Sequence, residues 1–254
     1  MKINLKPAFR YQFAEFIKSA AIFYASMIAI MIFAFIHVVN VSVVNFNVNE
    51  KIAGSFSGLG ITSAIFMFVI SVAAIRSQIR LSLQFGVSRR TAFVNHLLCC
   101  GLISVILAAA GEILQIVTVA LEINHSNFMF ADMYQLIYMK TNDTTILTLP
   151  QHLNSAFMNF CICLGFTMFG TFFSLLFWLL SRTWKIIAVI LMVVLTNLVP
   201  FQLNHAGISF MPFINWLNSS PYCLMLFLVL FAAVFTVISW LLLRRTNVKG
   251  PTAG

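Results

Sequence analysis

The chain has 254 residues, of which 61% are apolar and 8% charged, and a mean hydropathy of +0.98. Soluble folds run at roughly 45–50% apolar and about 25% charged, so a water-soluble body is excluded and the natural unit becomes the membrane span of about 20 residues. The net charge of +9 does not point to nucleic acid, because the cations are scattered between apolar runs and form no contiguous basic face.

The chain opens with Lys2, Lys6, Arg10 and Lys18. Within Leu5 to Lys18, Leu5, Phe9, Phe13, Phe16 and Ile17 recur at helical spacing, with Pro7 tolerable in a first turn. This predicts an amphipathic interfacial helix over residues 1–18, serving either to anchor the chain at anionic lipid or to grip a partner. The run that follows, Ser19 to Val39, is too long for a signal-peptide core and is expected to be retained as a first span.

Further apolar segments follow at Leu59 to Ile75, Ala92 to Leu121, Leu153 to Leu180, Ile186 to Val199 and Tyr222 to Leu243, which makes six expected transmembrane helices in an all-α integral membrane protein of one domain over residues 1–254. The fifth is short, and residues 201–221, bounded by Pro200 and Pro221, form either its continuation or a re-entrant piece. The positive-inside rule orients the whole. Lys2, Lys6, Arg10 and Lys18, then Arg76, Arg80, Arg89 and Arg90, then Arg182 and Lys185, then Arg244, Arg245 and Lys249 fall in alternate connections. Lys51 and Lys140 are the only exceptions among the 15. The expected arrangement is multi-pass in the plasma membrane with both termini cytoplasmic. Residues 122–152 then form the longest extracytoplasmic connection.

Chemistry-bearing motifs are absent: there is no phosphate-binding glycine loop, no His-Glu-x-x-His and no Gly-x-Ser-x-Gly elbow, so no catalytic, cofactor-binding or metal-binding residues are assigned. The five cysteines, Cys99, Cys100, Cys161, Cys163 and Cys223, all lie in apolar stretches and read as small buried groups. Gly54-Ser-Phe-Ser-Gly58 suits either close helix packing or an outside turn.

Two features carry functional weight. Glu112 is the one acidic residue inside a span, with Gln115 on the same helical face; it reads either as a solvated carboxylate near the outer headgroups or as part of a substrate pathway or helix contact. The connection from Arg76 to Phe93 is basic and broken by Gly86, with Ser88 placed to cap the next helix. It reads either as a topogenic loop or as a docking surface built from Arg76, Arg80, Phe85, Gly86, Ser88, Arg89 and Arg90.

Six spans, an amphipathic N-terminal helix and the segment Leu83-Gln-Phe-Gly-Val-Ser-Arg-Arg90 together resemble the membrane subunit of ATP-binding-cassette exporters of the ABC-2 type. The resemblance implies a non-catalytic permease forming half of a pathway for an amphipathic or hydrophobic substrate such as a peptide, antibiotic or lipid. It implies a cytoplasmic coupling helix over residues 76–91, a separate ABC ATPase dimer holding ATP and Mg, and a second permease subunit, identical or different, in contact with membrane lipid and not with nucleic acid. The alternatives are an ion-coupled secondary carrier and an immunity or sensor protein that works without an ATPase.

Overall fold

A computed structural model describes residues 5–40, 54–55, 59–120, 128–129, 132–139, 147–181, 183–191, 194 and 211–245. Seven helices dominate: α1 (Leu5–Asn40), α2 (Leu59–Gln84), α3 (Arg89–Ala120), α4 (Leu149–Leu179), α5 (residues 183–191), α6 (Met211–Ser219) and α7 (Pro221–Arg245). A parallel two-residue pairing joins Gly54 to Phe128 and Ser55 to Met129, and one π-helical turn spans Gln135–Met139. Five helices contain stretches long and apolar enough to cross a bilayer: Phe9–Ile30, Gly60–Gln84, Arg89–Val117, Leu149–Leu179 and Pro221–Arg244. Their outward faces carry Ile22, Ile30, Phe33, Ile65, Val69, Ile113, Leu230 and Val237 exposed, an apolar mantle suited to lipid tails. The chain has the build of a multi-pass, all-helical membrane protein.

Two expectations change. Within residues 1–18, the described part, 5–18, does not form a separate interfacial helix, because α1 runs unbroken from Leu5 to Asn40. Residues 8–40 contain neither glycine nor proline, so nothing ends the helix. Its amphipathic face turns onto α3, with Gln12, Phe16 and Ala20 buried and the Phe16 ring set edge-on to His96 at 6.3 Å. Nor is there a distinct coupling helix between the second and third spans: residues 76–84 are the last turns of α2, and α3 begins at Arg89.

Gly86 ends α2 in the left-handed region at φ +72. Its N–H donates to Leu83 O at 3.0 Å and the Val87 N–H to Ser82 O at 2.9 Å, the two bonds of a Schellman cap, which only a residue without a Cβ forms at no steric cost. Ser88 then caps α3 by accepting the Thr91 N–H on its Oγ at 3.2 Å, as its position before Arg89 predicted. Of the fifth expected span, residues 186–191 and 194 are helical and the remainder lies outside the described residues. Of residues 201–221, the described part is the short helix α6, Ser220 and the first residue of α7, Pro221. The Gly54–Gly58 segment is described at Gly54 and Ser55 only.

The bundle is organised about α4, the most enclosed helix. It runs parallel to α2, and Gly170 brings the two backbones together: a Cβ there would lie 2.6 Å from Phe68 O. The same contact carries hydrogen bonds from Ser71 Oγ to Thr167 O at 2.9 Å and from Ser174 Oγ to Val72 O at 2.8 Å. On its other side α4 runs parallel to α7, with Gly165 against Leu228, Phe169 between Phe231 and Phe235, and Trp178 and Trp240 at the same end. The chain between α4 and α7 therefore returns to the opposite end of the bundle before α7 starts. Helix α3 lies antiparallel to α4, and α1 packs parallel to α3, where Tyr24 donates to Leu107 O at 2.6 Å.

Gly170→Ala is expected to lower the thermal unfolding temperature of the purified chain by several degrees, a cost of about 1–3 kcal/mol for overpacking. Gly101→Ala, where a Cβ meets nothing within 4 Å, is the control and should leave stability unchanged or slightly raised. Equal behaviour of the two variants would contradict the close α2–α4 contact.

Candidate functional site

Two buried polar layers interrupt the apolar interior. The first lies toward the end of the bundle that carries Arg76, Arg80, Arg89 and Arg90. Here Gln12 of α1 bonds Gln78 of α2 and accepts from Asn95 Nδ2 of α3 at 2.7 Å. His96 Nδ1 lies 3.0 Å from Gln78 Oε1, and its Nε2 lies 3.3 Å from Thr171 Oγ1 of α4. Thr171 continues to Ser71 at 2.7 Å. Gln12 Nε2 lies 3.2 Å from the same Nδ1, and the Thr171 hydroxyl gives its own proton to Thr167 O at 2.9 Å, so the tautomer of a neutral His96 sets which of these contacts it donates to. Four helices thus meet on one imidazole that is 1% exposed. In a bilayer interior each of these groups must find its partner within the protein, so the layer fixes the helices' rotation as well as their distance.

The second layer lies toward the opposite end and centres on Glu112. It is not a solvated interfacial carboxylate: only 7% of the residue is exposed, and its two oxygens are taken by His152 Nδ1 at 2.6 Å and Ser155 Oγ at 2.8 Å. The segment from residue 132 to 139 folds into the bundle and places Asp132, also 7% exposed, against Ser155 and against Asn159 Nδ2 at 3.1 Å. Gln115 donates to Gln135 Oε1 at 3.0 Å, and that same oxygen accepts the Asp132 N–H at 3.1 Å, so the polar side chains of α3 hold the incoming segment in place. Two carboxyl groups are brought to one serine hydroxyl that has a single proton to give. The other carboxyl contact requires a positive counterpart, a proton or a cation.

The residues expected to form a docking surface take varied positions. Phe85 stands at the tip of the α2–α3 turn with 77% of its surface exposed. Gly86 and Ser88 are the caps that shape this turn. The Arg76 and Arg80 guanidinium groups lie 5.7 and 5.8 Å from the Trp178 ring centre, within cation–π range, so both brace α2 against α4 while remaining exposed. Arg89 is half-buried; Arg90 is exposed beside a groove lined by Phe93, Leu97 and Trp240. The α2–α3 hairpin is therefore one braced, capped projection.

Sequence reasoning missed His96 with its partners Gln12, Gln78 and Asn95, and Asp132, His152, Ser155 and Asn159. A signal was present in α4: His152, Ser155, Asn159, Cys163, Thr167, Thr171 and Ser174 recur every three or four residues, a polar stripe down one face of an otherwise apolar helix. Asp132 had no such signal, because it lies in a connection and meets the stripe only through tertiary folding. Cys161 and Cys163 pack into separate apolar clusters, in keeping with their two-residue spacing. Among the described residues no three His, Cys, Asp or Glu side chains converge as metal ligands would.

No family model, curated protein or solved structure matches this chain.

Glu112→Ala is expected to lower the unfolding temperature by several degrees, since it strips His152 of its acceptor, Ser155 keeping Asp132, at a cost of about 1–3 kcal/mol. Ile113→Ala, one residue on and 61% exposed, should stay within about 0.5 kcal/mol in detergent. Indifference to both changes would restore the solvated reading of Glu112.

Proposed function

We propose that this chain is the membrane-spanning permease subunit of an ATP-driven exporter of the ABC-2 type, coupled to a separate ATPase through the α2–α3 hairpin. The observation that carries the reading is the hairpin tip. A large aromatic, Phe85, stands in the open on a turn fixed by a Schellman cap and a serine cap, with exposed Arg80 and Arg90 on either side. An exposed aromatic ringed by arginines on a rigid support has the composition of a binding hot spot and is poorly explained by topology alone. The N-terminal end of α1 packs beside the same hairpin through Gln12, Gln78 and Asn95, so a force applied to the hairpin reaches α1, α3 and α4 together.

In this reading the chain crosses the plasma membrane six times. The parallel course of α4 and α7 supports a further crossing between them, which this reading assigns to the stretch containing residues 183–191. The alternating basic connections then place both termini and the hairpin in the cytoplasm. ATP and Mg reside on an ABC ATPase dimer. A second permease, identical or different, completes the pathway for an amphipathic or hydrophobic substrate, and closure of the ATPases drives a rigid-body rearrangement of the helices. A second reading, an ion-coupled carrier, gains from one observation: Asp132 and His152 join Glu112 in the buried layer, giving the chain the paired carboxylates that Glu112 alone did not supply.

The test is co-purification of the tagged chain from its native membranes in mild detergent. The exporter reading expects a stoichiometric ATPase with the wild type and at least a roughly tenfold loss of it with Phe85→Ala, Arg90→Glu. A chain that purifies intact with no ATPase overturns this reading and leaves the carrier.

A further inference from the structure

We propose that the second polar layer is a binding site for a single sodium ion, held by Asp132 and Asn159. The site is a cavity of about 10 Å³, room for one water-sized particle, whose lining includes Tyr24, Gly60, Ser63, Gln115, Asp132 and Asn159. These residues come from α1, α2, α3, α4 and the segment after residue 131, so an occupant would tie five elements together.

Three observations identify the occupant. First, the orientation of Asn159 is fixed: its amide nitrogen must face Asp132, which as a carboxylate only accepts, so Oδ1 is turned toward Gly60. That oxygen has no partner in a side chain only 7% exposed, and a buried acceptor left dry is costly. Second, the layer is rich in negative charge. Asp132 and Glu112 both contact Ser155, whose one proton serves only one of them, and His152 reaches Glu112 but is not bonded to Asp132. A cation beside Asp132 supplies the missing positive counterpart. Third, the donors are hard oxygens: one carboxylate, the Asn159 amide oxygen and the Ser63 and Tyr24 hydroxyls. The Tyr24 proton is committed to Leu107 O at 2.6 Å and Ser63 gives its proton to the Tyr24 oxygen, so both hydroxyls face the site with lone pairs and no proton to spare.

Oxygen donors with one adjacent carboxylate suit a monovalent ion better than a transition metal or a divalent cation that gathers several carboxylates. Sodium is the smaller and more polarising alkali ion, and a carboxylate of high charge density beside a space for one water-sized particle favours it over potassium. The inference stands on this geometry and on neither reading of the function: a bound sodium can brace an ATP-driven permease or drive a carrier.

The experiment uses the full chain purified in detergent. Its thermal unfolding is followed by tryptophan fluorescence in NaCl, KCl or choline chloride at constant ionic strength and pH. Sodium is expected to raise the unfolding temperature in a saturable way, by about 2–5 °C over choline, with potassium markedly weaker. Asn159→Ala should remove the sodium increment. Equal unfolding temperatures in the three salts would overturn the proposal and leave a water in the cavity, and so would an equal rise with sodium and potassium. If Asn159→Ala does not fold, the wild-type selectivity still decides; if it folds and keeps the full sodium increment, the assignment to this cavity is wrong.

Discussion

The contact between α2 and α4 is the constraint on which the rest of the bundle depends. Lipid tails are as apolar as leucine, so burying apolar side chains gives helices in a membrane little reason to associate, and close backbone packing with interhelical hydrogen bonds must take over. Gly170 supplies the first and Ser71, Thr167, Thr171 and Ser174 the second. With α2 held in this register, Thr171 faces His96 near one end of the interface and Asn159 faces Asp132 near the other. The first polar layer is tied directly to this pairing through Gln78, Ser71 and Thr171, whereas the second joins α4 to α3 and to the segment 132–139. A change in α2–α4 register would break the first.

The layers give the two ends of the molecule different characters. At the arginine-bearing end, the neutral His96 and three amide side chains lock α1, α2, α3 and α4 beneath a capped hairpin that projects an aromatic tip. In the exporter reading, this is how a push on a small exposed surface becomes a concerted movement of four helices. At the opposite end the charges are buried instead of displayed. Glu112 and Asp132 are withdrawn from solvent onto Ser155 and Asn159, and the connection that carries Asp132 becomes part of the bundle wall. Function in either reading would run between these ends, along the polar stripe of α4.

Much of the architecture was legible in the sequence because membrane spans announce themselves through sustained apolar runs. The five long helices coincide with the expected segments to within a few residues at most ends, although α2 continues nine residues past its apolar run to Gln84. The caps at Gly86 and Ser88 were legible as well, since they are local chemistry. What failed had non-local causes. The division of α1 into an interfacial helix and a span was inferred from a change in amphipathicity, and amphipathicity reports a second environment, not a break; the polar face belonged to Gln12 and its partners on α2 and α3. Glu112 was placed by counting along the helix, which locates a residue near an interface but cannot reveal that Asp132, His152 and Ser155 close over it. The stripe on α4 was readable, but its partners became visible only once the helices were packed.

The central claim is that Asp132 folds into the bundle and is bonded there, so that a connection supplies part of the polar interior. The most direct measurement is a double-mutant cycle for unfolding stability between Asp132→Ala and Ser155→Ala, residues 23 positions apart in sequence and joined only through this fold. Direct contact predicts a coupling energy of about 0.5–3 kcal/mol, the two changes together costing less than the sum of each alone. Strict additivity, with a coupling below about 0.3 kcal/mol, would contradict the account and return Asp132 to the solvent.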